Sequence, residues 1–256
     1  MLSVHYLEVT TEVIVPLALD VYCGSALRGA FFRTMWERFC ANREASTCMV
    51  CPLVTACPVA SLVAPLRDEA PRGGDVPRPY VITPPLGEQQ RYETGETFAF
   101  GVALLGKAAH WYPYVMRSLQ EMERSTLGHP LSQGKRGRFC VREIHACHPL
   151  TGAKHLLWQR GWTQPEKLHL PITADDVVAR AQQLPTDRLT LHFLSPTRLI
   201  DQEHVLRHPD FRPLVLRLAQ RLEAVQDAYG QEAEGGAASL GRAWYLPRDA
   251  QRAAKL

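Results

Sequence analysis

Residues 3–16, SVHYLEVTTEVIVP, decide the fold. They alternate in polarity and are rich in Val, Thr, Ile and Tyr, the pattern of a half-buried strand. Residues 23–40, CGSALRGAFFRTMWERFC, follow with a different period. Leu27, Phe31 and Thr34 fall at i, i+4 and i+7, one stripe of an amphipathic helix, with Ser25 as its N-cap. Tyr80–Thr83 and Thr97–Leu105 read as two further strands. His110–Ser125 reads as a second helix, with Tyr114, Leu119 and Met122 among its apolar positions. A glycine-bearing basic loop, GHPLSQGKRGR (128–138), leads to a strand over Phe139–Ala146. The order is β-α-β-β-α-β, the ferredoxin-like arrangement that also underlies the RRM, an RNA-binding module. The expected class is therefore α+β.

A second unit is expected after residue 150. Lys154–Trp158 reads as a hairpin strand, Ala174–Leu184 as a helix capped by Thr173, and RLTLHFL (188–194) as an alternating strand. Phe211–Tyr229 reads as a helix with Leu214, Leu218, Leu222 and Val225 at helical spacing and Gly230 at its C-cap. The chain beyond Gly230 is too short for a complete second ferredoxin-like domain. The expected division is thus 1–150, with a cysteine-containing insertion at about 40–79, and 151–256, a reduced second domain ending in a glycine-rich segment. Other segments or partners would complete it.

The 256 residues are 46% hydrophobic and 21% charged, which suits one or two folded domains. Net charge is +3, so charge alone announces no nucleic-acid partner, and its distribution must decide. Arginine far outnumbers lysine. It is the better residue for bidentate phosphate recognition, although a GC-rich genome also favours it. The N-terminus has no basic or long apolar leader, and the longest apolar run, FAFGVALLG (98–106), is far short of a membrane span. A cytoplasmic protein without membrane contact is expected.

Seven cysteines, an odd number in an intracellular chain, argue against a disulfide framework. Cys40, Cys48, Cys51 and Cys57 form C-x7-C-x2-C-x5-C. Four thiolates complete a tetrahedral zinc site, and the same set could hold an iron–sulfur cluster. The alternative is four reduced cysteines without metal. A metal would be structural, pinning a lobe with little hydrophobic content. Cys23, Cys140 and Cys147 read as small core residues.

Four segments occur in order: GSALRGAFFRTMWERFC (24–40) with the cysteines behind it, PRPYVITPPL (77–86), GHPLSQGKRGRFCVREI (128–144), and LTLHFLSPTRL (189–199) followed by PDFRPLVLRLAQRLEAVQDAYG (209–230). This set resembles the RAMP-superfamily endoribonucleases that cut precursor CRISPR RNA, over residues 1 to about 230. The chain departs from them in two ways. It has no histidine between His5 and His110, where many relatives carry a general acid or base. Its one late glycine-rich piece is GGAASLGRAW (235–244). Both features resemble the short divergent branch found with type IV CRISPR systems. The resemblance implies an endoribonuclease that binds the repeat stem-loop of precursor crRNA and cuts it on the 3′ side. A 2′-OH would attack the adjacent phosphate without metal, leaving 2′,3′-cyclic phosphate and 5′-OH ends. The protein would stay bound to the crRNA beside other CRISPR effector subunits. The alternative is a non-catalytic subunit that binds the crRNA hairpin.

That reaction needs a base, an acid and positive charge on the phosphorane, and arginines supply positioning and charge. Arg38 continues the Leu27 stripe at i+11 and is the first candidate, with Arg242 of the SLGRAW loop beside it and Arg28 and Tyr22 behind. Arg38 could equally snorkel and favour the helix C-terminal dipole, and Arg242 could be a solvated tail residue. No cofactor is expected for catalysis. Arg33, Lys135, Arg136, Arg138, Arg142 and Arg198 are candidate RNA contacts. The glycines of GKRGR would let backbone approach phosphate, unless the run is a solvated hairpin. His145, His148 and His155 are the fallback for acid–base chemistry. Asp175, Asp176, Asp201 and Asp210 form no convincing two-metal pattern.

Overall fold

The computed structural model describes residues 1–63, 77–131, 134–201 and 203–230. Strand β1 (Val4–Val15) is central. It pairs antiparallel with β5 (Thr97–Leu105) on one side and β7 (Arg136–His148) on the other. β3 (Tyr80–Thr83) adds to β5, and both β6 (Leu127–Pro130) and β8 (Ala153–Gln159) add to the far edge of β7. With α1 (Gly24–Phe39) and α3 (Tyr112–Glu121), the order β1-α1-β3-β5-α3-β7 and the sheet order β3-β5-β1-β7 make a ferredoxin-like α+β unit. Two-residue strands β2 (Leu17–Ala18) and β4 (Arg91–Tyr92) pair apart from the main sheet, and α2 (Pro58–Val63) follows the cysteine segment.

The alternation of β1 has a direct physical result. Leu7, Val9, Thr11 and Val13 are buried under the helices, while Tyr6, Glu8 and Glu12 look to the other face. Thr11 can be buried because its hydroxyl donates to the Phe98 carbonyl at 2.8 Å. Phe98 meets Phe139 edge-on at 5.4 Å, locking β5 to β7 across β1. The expected helical stripe Leu27, Phe31, Thr34 is buried as read, and the Thr34 hydroxyl donates to the Ala30 carbonyl at 3.0 Å.

Several elements differ from the sequence reading. Ser25 does not cap α1: the helix already starts at Gly24, Cys23 holds the N-cap position, and no side chain caps it. The second helix is α only over Tyr112–Glu121, flanked by 3₁₀ turns at Gly106–Trp111 and Met122–Arg124. The basic loop is narrower than read, because Leu127–Pro130 and Arg136 onward are already strand. The Lys154–Trp158 strand, read as opening a second unit, runs over Ala153–Gln159 and is hydrogen-bonded into the first sheet. Arg188–Leu194 forms no strand: its side chains are exposed, and among the described residues no strand pairs with its backbone.

Beyond β8 the described chain holds α4 (Ala174–Ala181), the ribbon β9 (Ile200–Asp201) with β10 (His204–Val205), and α5 (Phe211–Tyr229). Thr173 caps α4 in a reciprocal box with Asp176. Gly230 is the C-cap of α5, as read, but with φ −62° it does not use the left-handed conformation. Only Leu214 and Val225 of the α5 stripe are buried, whereas Leu218 and Leu222 are 54% and 52% exposed. Among the described residues no helix is long and apolar enough to cross a membrane.

Candidate nucleic-acid interface

Helix α1 and the β6–β7 hairpin enclose a groove of about 380 Å³. The helix presents small residues to it, Cys23, Ala26, Gly29 and Ala30, so its backbone is approachable there. A Cβ on Gly29 would meet nothing within 4 Å. Arg33 stands one helical turn beyond Gly29 on the same wall, and Arg136 faces it from the start of β7. One Arg136 nitrogen donates to the Gly128 carbonyl at 3.1 Å, which fixes the guanidinium across the hairpin and leaves its other N–H groups for a ligand. His129 and Asp20 form a 2.6 Å pair lining the same groove. A groove with two guanidiniums and small residues along one wall suits a phosphate backbone.

Two of the hairpin glycines are taken up by packing. Gly128 has φ +79°, and a Cβ there would lie 2.1 Å from the Ala18 carbonyl oxygen. A Cβ on Gly137 would lie 2.7 Å from Leu17. These two glycines let β2 pack against the hairpin. Gly134 has open space around it.

The basic run does not act as one patch. Arg138 donates to the Glu123 carbonyl at 3.2 Å, and Arg142 pairs with Glu12 at 2.7 Å. Arg136 to Arg142 spans about 20 Å of strand, and of the run only Arg136 lines the groove. Lys135 is exposed at the hairpin end. The open sheet face is charge-balanced, since Lys154 also pairs with Glu8 at 2.6 Å. Its aromatic on β1, Tyr6, lies over Gly101, where a Cβ would come within 2.1 Å of the hydroxyl. Burial there raises the Tyr6 pKa.

Arg38 is half exposed, with Nε 3.5 Å from Oε1 of the buried Glu121. Arg117 Nε approaches the same oxygen at 2.7 Å, and Arg124 Nη1 lies 3.7 Å from Oε2. Three guanidiniums thus surround one carboxylate, leaving a surplus of positive charge at the end of α1. This answers why the stripe ends in a cation: Arg38 joins α1 to α3 from the last turn, where the helix dipole also favours it. Sequence reading missed Glu121, Arg117 and Arg124. The i, i+4 spacing of Arg117 and Glu121 was the available signal.

The other candidates are dispersed. Arg28 is exposed on α1, its charge close to the buried Tyr80. Tyr22 lines a separate cavity of about 320 Å³ with Ser195, Thr197, Arg207 and His208. Arg198 is exposed beside that cavity, between the lining residues Thr197 and Leu199. Arg207 and His208 are further residues the sequence did not single out. Arg242 lies outside the described residues.

The histidines gather at the far end of β7, about 30–40 Å along the strand from Arg136. His148 Nε2 lies 3.5 Å from Asp176, its Nδ1 is buried without a partner, and His155 stacks edge-on to His169 at 4.7 Å. Burial lowers the pKa of His145, and the Lys154 charge lowers it further. Of these only His148 reaches α4, through Asp176. The seven cysteines are free thiols. Among the described residues no three His, Cys, Asp or Glu groups yet stand close enough to hold an ion.

The topology places the chain in the ferredoxin-like class of α+β proteins. More specifically, it belongs to the AF_1859_N family, whose N-terminal domain matches residues 2–169, about two thirds of the chain. That match runs past β8, in keeping with its place in the first sheet. No curated protein is similar to the chain. Among solved structures it is similar to the Csm3–Csm4 subcomplex of the type III-A CRISPR-Cas interference complex, at 15% identity and a TM-score of 0.40, over 60% of this chain and 80% of that one.

Proposed function

We propose that the protein binds the repeat stem-loop of precursor CRISPR RNA and cuts it on the 3′ side by metal-independent 2′-OH attack, remaining with the product among effector subunits. The observation that carries the binding half is the meeting of Arg33 and Arg136 across one groove walled by small residues of α1. The four ordered motifs supply the substrate class. RNA stems are gripped through backbone and shape, and two opposed arginines over small side chains suit that task. In this reading Arg38 and Arg242 supply positive charge at the scissile phosphate, and Arg28 and Tyr22 assist.

The reading is tested with a repeat hairpin RNA in EDTA, beside the same RNA carrying a deoxynucleotide at the scissile 2′ position. Cleavage of the first and binding without cleavage of the second is the expected result. Replacing Arg33 and Arg136 by alanine weakens binding of both RNAs and lowers the slope of log K against log salt by roughly 1.4 to 2. An unchanged slope would remove the groove from the interface.

A second reading, a hairpin-binding subunit without catalysis, is favoured by the separation of the candidates. Arg38 already shares the Glu121 carboxylate, and Tyr22 lines a different cavity from Arg33 and Arg136. Tight binding with no cut in either RNA is its outcome.

A further inference from the structure

We propose that Cys40, Cys48, Cys51 and Cys57 close on one zinc ion, a four-thiolate site that fastens the 40–57 lobe to the helical layer. The lobe cannot hold itself by burial. Its two 3₁₀ turns, Cys48–Val50 and Val54–Ala56, bury no residue, and Met49 and Val50 are 73% and 67% exposed. A segment this poor in core requires another fastening to keep one conformation.

The thiols stand where fastening is useful. Cys40 is the C-cap of α1, and Cys57 immediately precedes α2, its carbonyl accepting from Ser61 N–H at 2.9 Å. Both pack against the edge of the hydrophobic core. Cys48 and Cys51 bracket one tight turn, with Cys51 N–H donating to the Cys48 carbonyl at 3.2 Å. Such a turn places two thiols on one side, the geometry that C-x2-C ligand pairs use.

Asn42 links the two halves. Its carbonyl accepts from the Cys40 thiol at 3.5 Å, and its side-chain amide donates to the Cys51 sulfur at 3.8 Å. An N–H aimed at a sulfur is the outer contact that steadies a ligating thiolate. The turn Cys48–Val50 also touches the turn Val54–Ala56, which ends at Cys57, so the two halves of the lobe lie against each other. As neutral thiols they have no reason to converge. A divalent cation would deprotonate them and draw them into a tetrahedron. The inference stands whether or not the protein cuts RNA.

The test is the metal content of the full chain, purified anaerobically after growth with added zinc. About one zinc per chain is expected, with four thiols that react only after an organomercurial releases the metal. Cys48→Ser and Cys51→Ser each abolish stoichiometric zinc, whereas Cys140→Ser, at a buried sheet position outside the lobe, keeps it. Native protein without zinc that takes up none on titration, its four thiols freely reactive, overturns the proposal. Bound iron with visible thiolate-to-iron absorbance overturns the zinc assignment. The wild-type measurement decides even if a variant fails to fold.

Discussion

Two regions of the molecule carry similar sequence patterns and meet different fates. In the first, 1–159, VHYLEV alternates and becomes the centre of a sheet. In the second, 160–230, RLTLHFL alternates just as well, yet Leu189, Leu191, Phe193 and Leu194 are exposed and form no ladder. The difference lies in what the chain supplies nearby. β1 has β5 and β7 to satisfy its backbone on both edges and two helices to cover one face. Residues 188–194 have neither a strand edge nor a covering layer among the described residues. Alternation makes a segment fit for a sheet, and the sheet itself must come from elsewhere.

The largest effect that would sharpen this contrast is a core deletion in the first region. Phe139 is fully buried on β7 against Phe98. Phe139→Ala is expected to cost about 3–5 kcal/mol in urea unfolding, enough to unfold much of the protein at ordinary temperature. A cost near zero would mean that the sheet is not the cooperative unit.

Next in size is the junction of α1 and α3. Arg117→Ala takes the nearest cation from the buried Glu121 carboxylate and leaves it to Arg38 and Arg124 at longer range. Breaking a wholly buried pair costs about 3–5 kcal/mol, but the arginines here are half exposed and Glu121 keeps two partners, so about 1–2 is expected. In the double variant Arg38→Ala, Arg117→Ala the losses should exceed additivity, because both serve one oxygen. Simple additivity would show that Arg38 is not held by Glu121, which would strengthen its proposed place at the RNA.

Smaller again is the α4 cap. Thr173→Ala removes a reciprocal capping box and is expected to cost about 1 kcal/mol locally. The cap also predicts a pH dependence. Hydrogen bonds from the Thr173 side chain and backbone hold the Asp176 pKa below its usual value. A depressed folded pKa means stability that is fully present above the unfolded carboxylate value, near pH 4, and lost as pH falls through the folded one. Amide protection in α4, relative to the intrinsic exchange rate at each pH, should therefore fall on acidification through that window in the native protein and less so in Thr173→Ala. Equal pH profiles would detach Asp176 from the cap.

The fold of the first region was legible because each of its elements has a strong local period and the six-element order admits few topologies. β3 and β5 came out with their expected bounds, and the β1 and α1 periods were read correctly. The site was less legible for a reason of geometry. Reading GKRGR as a phosphate loop assumed that its glycines face a ligand, and the space at one of them, Gly137, is already taken by Leu17, while Gly134 stays open. Likewise Arg38 could be placed on a buried stripe from spacing, but its partner Glu121 lies on another helix. No local pattern carries a contact 83 positions away. The pairing of Arg33 with Arg136 was invisible for the same reason, since their residues meet only when the hairpin folds against α1.

The smallest expected effect is the most direct trial of the comparison. Leu218 and Leu222 sit on α5 at the spacing of a buried stripe, yet both are about half exposed, while Leu214 and Val225 on the same helix are buried. Changing Leu218 or Leu222 to Gln should move stability by no more than about 0.5 kcal/mol, since little apolar surface is lost from a solvated site and Gln is a good helix former. Leu214→Gln would bury an amide and should cost several times more. If Leu222→Gln instead cost as much as Leu214→Gln, that face of α5 would be covered in solution, and the apparent poverty of the second region would be a matter of what lies against it.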